Sequence, residues 1–268
     1  MITALDHLVL IAPDDAVSGF LNVLGRDLTD VFEVEDGRRM YVAGTDNIGI
    51  EIMSPFSEGP GATRLNELMT GEVRLASLAF ASNDLDAAHH TATRRGLNPG
   101  DIQEGVTGDH FRCEDAACAG VKTFIVEPER SDPDPAAEPG AVIGLDHIVV
   151  NTPNPQRALA HYGARLGLRL ALDRQLDELK SRLLFFKVGD ITVEIMHRLD
   201  QDQYPDADDV LWGLSWRVDD LDAAHARLSD AGVEVSQTRT GRKPGTRVFT
   251  VKSHTLDVPT LFIEQSPR

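Results

Sequence analysis

The hexapeptide DLDAAH occurs twice in this chain, at 84–89 and at 220–225, and the identity extends well beyond it. ALDHLVLIAP near the start returns as GLDHIVVNTP, GIEIMS at 49–54 returns as TVEIMH at 192–197, and VKTFIVE returns as VPTLFIE. The copies stand at offsets of 136 to 143 residues. One half is therefore a drifted duplicate of the other, at a spacing far too long for a solenoid repeat. Such a pattern argues for duplicated domains rather than a repeat array.

Each half divides again. An apolar run of strand length from Leu5 to Ile11 is followed by Pro13 and acidic residues suited to capping a helix. The helix candidate AVSGFLNVLG and the strand-like runs RRMYVAG and NIGIEIM complete this unit. LASLAFAS at 75–82 opens a second unit of the same order, continued by a helix over LDAAHHTATRRG and by strands HFRCED and VKTFIVE. Here Asn83 or Asp84 suits the N-cap, Asp86 lies in the first turn where the helix dipole favours negative charge, and Gly96 and Gly232 suit the helix ends. The repeated hexapeptide thus marks a strand-to-helix junction, with His89 and His225 as solvated or partly packed imidazoles.

Four such modules fall near 1–58, 72–130, 141–200 and 209–268. Between the halves, PERSDPDPAAEPG has four prolines and little apolar character, and it reads as a linker. The expected domains are 1–130 and 141–268, joined by a proline-rich linker at 131–140. Extended, the linker would reach about 40 Å, which permits pairing of modules within each half or exchange between the halves.

A chain of 268 residues with 41% hydrophobic content can fill two cores. Its 26 basic and 43 acidic residues give a net charge of −17, which repels phosphate backbones and anionic lipid surfaces. Neither nucleic acid nor a membrane is an expected partner. No apolar run approaches the roughly 18 residues of a membrane helix, and the N-terminus lacks the basic start of a signal peptide, so a cytoplasmic location is expected. Cys113 and Cys118 lie on a hairpin-like segment, are expected to be free thiols, and are too few to build a cysteine metal site.

The strings LDHLVLIAP and LDHIVVNTP, the helix tail HYGARLGLRL, the EIM triplets, and SLAFASNDLDAA with LSWRVDDLDAA together resemble the vicinal oxygen chelate superfamily. That superfamily includes glyoxalase I, methylmalonyl-CoA epimerase, extradiol dioxygenases and bleomycin-resistance proteins. The resemblance covers nearly the whole chain. It implies an α+β fold in which tandem βαβββ modules form two curved, half-barrel sheets with helices on the outer face. It is specific for fold and weak for reaction, because one fold hosts many chemistries.

Strand alternation separates a helix-packed face from a concave one. Ile48, Ile50 and Ile52 form a wholly apolar face, which leaves Glu51 on the concave side, and Glu194 follows the same rule. Read in the same way, Glu127 and Glu264 also point inward, so each half would send two carboxylates and one imidazole into its hollow. Such carboxylates must be paired, protonated or metal-bound. In metal-binding relatives the first strand of a module supplies His or Gln and the last supplies Glu. The resemblance therefore implies His7, Glu51, Ser77 and Glu127 in one half and His147, Glu194, Gly213 and Glu264 in the other. Ser77 and Gly213 stand where second imidazoles belong. Exchange of modules instead gives His7, Glu51, Gly213 and Glu264, with His147, Glu194, Ser77 and Glu127.

One His and two Glu would suit a divalent metal, namely Zn, Mn, Fe, Co or Mg. The alternative is no metal, with the carboxylates bonded across the cleft. Arg217 shares the concave side with Ser215 and could pair with Glu264 or Glu194, or clamp an anion. His110 and Ser77 are further substrate-binding candidates. Two functions stay open. One is a metal-dependent isomerase, epimerase or lyase for a small oxygenated substrate, with Glu51 and Glu127 as the catalytic carboxylates. The other is a metal-free small-molecule binding or resistance protein. Extradiol ring cleavage is disfavoured by Gly213, and either a monomer or a homodimer is compatible with four modules in one chain.

Overall fold

The computed structural model of the chain describes residues 2–71, 74–128, 138–200 and 204–266. Most of the expected linker at 131–140 lies outside the described residues.

The first module runs β1 (Ile2–Ile11), α1 (Val17–Leu24), β2 (Leu28–Glu33), β3 (Arg38–Gly44) and β4 (Gly49–Pro55). Helix α1 stops where Gly25 turns left-handed at φ 64°, and the Gly25 N–H donates back to the Asn22 carbonyl. A helix that the sequence reading did not anticipate, α2 (Pro60–Met69), follows with proline in its first turn. The second module contains β5 (Leu75–Ser82), α3 (Leu85–Arg94), β6 (Gly108–Arg112) and β7 (Lys122–Pro128).

The third module contains β8 (Val142–Asn151), the short α4 (Pro155–Ala158), β9 (Arg169–Leu176), β10 (Ser181–Val188) and β11 (Ile191–Arg198). Helix α4 widens into a π-helical stretch over Leu159–Arg165. The fourth module contains β12 (Val210–Val218), α5 (Leu221–Asp230), β13 (Arg239–Thr240), β14 (Thr246–Val251) and β15 (Thr260–Gln265).

The two copies of DLDAAH build the same junction. Asp84 accepts from the Ala87 N–H at 2.8 Å, and Asp220 accepts from the Ala223 N–H at 2.9 Å. His89 then bonds the Gly100 carbonyl at 2.9 Å and meets the Phe111 ring edge-on at 5.0 Å. His225 repeats this with the Ser236 carbonyl at 3.1 Å and Phe249 at 5.2 Å. The histidines pin each helix to the chain that follows it, which explains why the whole hexapeptide, and not only its cap, recurs.

The strands form two curled mixed sheets in the orders β2-β3-β4-β1-β5-β7-β6 and β13-β14-β15-β12-β8-β11-β10-β9. Hairpin partners run antiparallel, whereas β5 with β7, β8 with β11 and β12 with β15 run parallel, as strand–helix–strand crossovers require. The expected α+β architecture of repeated modules is the one observed.

Tertiary contacts divide the chain into two compact units. One comprises residues 1–7, 77–131 and 147–212, and the other comprises 8–76, 132–146 and 213–268. The first thus holds the second and third modules, and the second holds the first and fourth. Each sheet, by contrast, is built by the two modules of one half. In the first unit Phe80, Phe111, Ile148, Val150, Phe186, Val193 and Ile195 are completely buried on the helix-bearing faces. In the second unit Leu10, Phe20, Ile50, Ile52, Trp216, Phe249 and Phe262 are completely buried. No helix among the described residues is long and apolar enough to cross a membrane.

Candidate functional site

In the third module, Ile148 and Val150 of β8 face the helix with Val193 and Ile195 of β11, so alternation turns His147, Thr192 and Glu194 to the opposite face. Register places Thr192 beside His147 and Glu194 beside Val149. His147 Nε2 lies 3.6 Å from Glu194 Oε2, with the two side chains 19% and 16% exposed. The β10–β11 hairpin closes through Gly189, at φ 58°, and Asp190, since Val188 pairs with Ile191. That two-residue turn sets Lys187 opposite Thr192 and Phe185 opposite Glu194. Lys187 Nζ donates to Thr192 Oγ1 at 2.5 Å. One face therefore carries a histidine, a carboxylate, an ammonium and an aromatic ring.

The second module places its expected site residues on β5, β6 and β7, which belong to the other sheet. Ser77 is buried and pairs with Lys122, and Ala79 pairs with Phe124. Relative to His147 and Glu194, Ser77 occupies the histidine position and Phe124 the carboxylate position. His110 is half-buried on the same face and meets Phe124 edge-on at 5.8 Å.

Glu127 lies on the other face. It is in phase with Thr123 and Ile125, which stand beside Leu78, Phe80 and Phe111 against α3, and at the strand end it is exposed opposite Asp109. Glu264 repeats the misreading. It is in phase with Phe262, beside the fully buried Trp216, and its carboxylate accepts from the Leu221 N–H at 3.4 Å and from Arg247 at 3.3 Å. It caps α5 and has no place in the hollow. The expectation of two inward carboxylates per half is corrected to one. Aligning the terminal glutamates of the strands put the register one residue out.

In the other unit, Glu51 is 4% exposed and pairs with Val42, and Ile50 and Ile52 are buried on the opposite face as expected. Arg217 is half-buried and shares a face with Ser215, Leu261 and Ile263, so its expected pairing with Glu264 across the strand does not form. Gly213 sits where an added Cβ would come 2.9 Å from the Pro259 carbonyl oxygen, which leaves no room for an imidazole. His7 is buried, with Nδ1 2.6 Å from Asp6 Oδ2. The basic segment at 241–247 is spent structurally: Arg247 binds Asp222 and Glu264, pulling the Asp222 carboxyl below its ordinary range, and Lys243 binds Gln265.

Among the described residues no group of three or more His, Cys, Asp or Glu side chains is placed to hold a metal ion. His147 and Glu194 offer two ligands, and on β12 and β15 of the same sheet the corresponding positions are Gly213 and Leu261. A closed or catalytic zinc site takes at least three protein ligands, and hard cations take more oxygens still. A resident divalent metal does not fit this donor set. Sequence reading missed Lys187 and Phe185, for which the Gly189-Asp190 turn was the available signal.

Residues 146–250 match the family model described as the Glyoxalase/Bleomycin resistance protein/Dioxygenase superfamily. No curated relative matches the chain in sequence. Among solved structures, a mutant of 4-hydroxymandelate synthase from Streptomyces coelicolor superposes with a TM-score of 0.74 at 15% identity, covering 99% of this chain and 94% of that one. A catechol 2,3-dioxygenase superposes at 0.68 and 16% identity, covering 99% and 88%. A halotolerant catechol dioxygenase does so at 0.66 and 14% identity, covering 98% and 87%. Sequence similarity to that superfamily covers residues 146–250, and over the whole chain the solved structures share the fold.

Proposed function

We propose that this vicinal oxygen chelate chain acts on a small oxygenated substrate by proton transfer, using the face that carries His147 and Glu194. The observation supporting this reading is their separation of 3.6 Å on one half-buried face. A carboxylate there can take a proton from the carbon beside a carbonyl, and the imidazole can hold or return a proton at the oxygen. In metal-using relatives a cation balances the enolate charge. Here the Lys187 ammonium, two strands from His147 in the same row, supplies positive charge of the same sense. Phe185, opposite Glu194, offers apolar surface, and the reaction class is isomerisation or epimerisation. The earlier assignment of Glu127 to catalysis is set aside because Glu127 is exposed on the helix-bearing face.

The experiment is deuterium exchange. A panel of 2-oxo and 2-hydroxy acids is incubated in heavy water with chelator-treated protein, and loss of the α-proton is followed by NMR. Wild type should accelerate exchange for at least one member, and Glu194→Gln should remove about 100-fold or more of that rate. Exchange that survives Glu194→Gln rejects the assignment. Binding without any exchange favours the rival reading of a sequestration protein.

A further inference from the structure

A second hollow lies in the first unit, on the outer side of the sheet away from His147. It has a volume of about 140 Å³ between α3 and the end of the π-helical stretch. Ala88, Ala92, Leu97 and Ile125 form its floor, and Arg95 and Arg165 form its rim. A hollow of about 290 Å³, lined by Thr91, Arg94 and Arg95, adjoins it.

The duplicated helix shows what normally fills this space. Thr91 and Ala92 of α3 correspond to Arg227 and Leu228 of α5. In α5, Leu228 is completely buried and Arg227 reaches the Asn22 and Val23 carbonyls at the end of α1. In α3 both positions are shortened, and the gap between helix and partner is left open. The capping task passes to Arg95, whose Nη1 donates to the Arg165 carbonyl at 3.1 Å. Arg165 Nη1 in turn donates to the Ala117 carbonyl at 2.7 Å. Each guanidinium is thereby oriented by a backbone oxygen, with further N–H groups left over.

Charge sharpens the case. The chain has 43 acidic residues against 26 basic ones, and Arg26, Arg157 and Arg182 are among the arginines that pair with carboxylates. Among the described residues Arg94, Arg95 and Arg165 have none. Uncompensated guanidinium groups over an apolar floor suit a ligand with one anionic end and one apolar body.

We propose that this hollow is an accessory binding site for a small organic carboxylate of aryl or short alkyl type, held through its carboxylate by Arg95 and Arg165 and through its body by Ala88, Ala92 and Ile125. The site is separate from the His147 face and does not depend on the proton-transfer reading.

The test titrates benzoate into the full chain and follows backbone amide shifts by NMR, with acetate as the anion lacking a body. Saturable shifts at Ala88 and Ala92 are expected, with acetate at least about tenfold weaker. Arg95→Gln should weaken benzoate about tenfold. Ala92→Leu, which restores the side chain found at the same position of α5, should abolish binding while the protein stays folded. Glu194→Gln should leave benzoate affinity unchanged, which separates this site from the other. Benzoate affinity unaltered by both Arg95→Gln and Ala92→Leu, shifts confined to the His147 face, or acetate binding as tightly as benzoate would each overturn the proposal.

Discussion

The Arg227 guanidinium donates to the Asn22 carbonyl at 2.6 Å and to the Val23 carbonyl at 2.9 Å, closing the C-terminal end of α1 from a helix more than 200 residues away in sequence. The Asn22 carbonyl also accepts from the Gly25 N–H that ends the helix, and the helix dipole makes these carbonyls its negative end. Arg227→Ala should cost about 1–2 kcal/mol by urea denaturation, because two charge-assisted bonds to the end of α1 are lost. Thr91→Ala in the duplicate helix should cost less than about 0.5 kcal/mol. Equal losses at both positions would show that the arginine contact contributes nothing special.

The histidine pins lend themselves to a paired test. His225→Ala removes the bond to the Ser236 carbonyl and the edge contact with Phe249, and His89→Ala removes the equivalent pair to Gly100 and Phe111. Each should lower stability by about 1–2 kcal/mol. Neither should alter substrate exchange at the His147 face. A change in turnover with unchanged stability would reassign these residues from scaffold to chemistry.

Buried charge gives a third case. The Asp209 side chain is fully buried and accepts from Thr152 and from Arg157, each at 2.7 Å. Burial pushes its carboxyl above the ordinary value, against the pull of Arg157 and Thr152. Arg157→Ala strands that carboxylate and should cost about 3 kcal/mol or more. Adding Asp209→Asn to Arg157→Ala should recover a large part of the loss, measured as a double-mutant cycle. Additive losses would mean that the two groups are not coupled.

The modules were legible because each signal was local. Proline and glycine punctuation, an aspartate cap and a period of two in the strands are written within about a dozen residues of one another. The facing of Ile50 and Glu51 followed from the same rule. What failed was long-range register. Glu127 and Glu264 end apolar strands just as Glu51 nearly does, but whether such a residue turns inward depends on pairing with β5 or β12, and no local pattern records that offset. The same limit hid the contacts between modules of different halves, where Arg165 reaches Ala117 and Arg227 reaches Asn22.

His161 gives the chain a built-in sensitivity to acid. It sits in the π-helical stretch at 2% exposure, 4.6 Å from the Tyr162 ring, and neither of its ring nitrogens has a hydrogen-bond partner among the described residues. Burial, reinforced by the nearby Arg165 and Arg157 charges, lowers its pKa from 6.5 to about 4. In the unfolded chain the ring takes up a proton as pH falls through its ordinary value, whereas the folded protein resists until about pH 4. The unfolded state therefore binds more protons throughout this window, and stability declines as pH falls across it. The shift corresponds to about 3 kcal/mol lost by pH 4, with no contribution from this group above neutrality. His161→Phe should flatten this segment of the stability curve, and at neutral pH it should be neutral or stabilising, because it removes two unsatisfied buried nitrogens. Urea midpoints for wild type and variant at half-unit steps between pH 7 and 4 provide the measurement, and parallel curves would show that acid lability originates elsewhere.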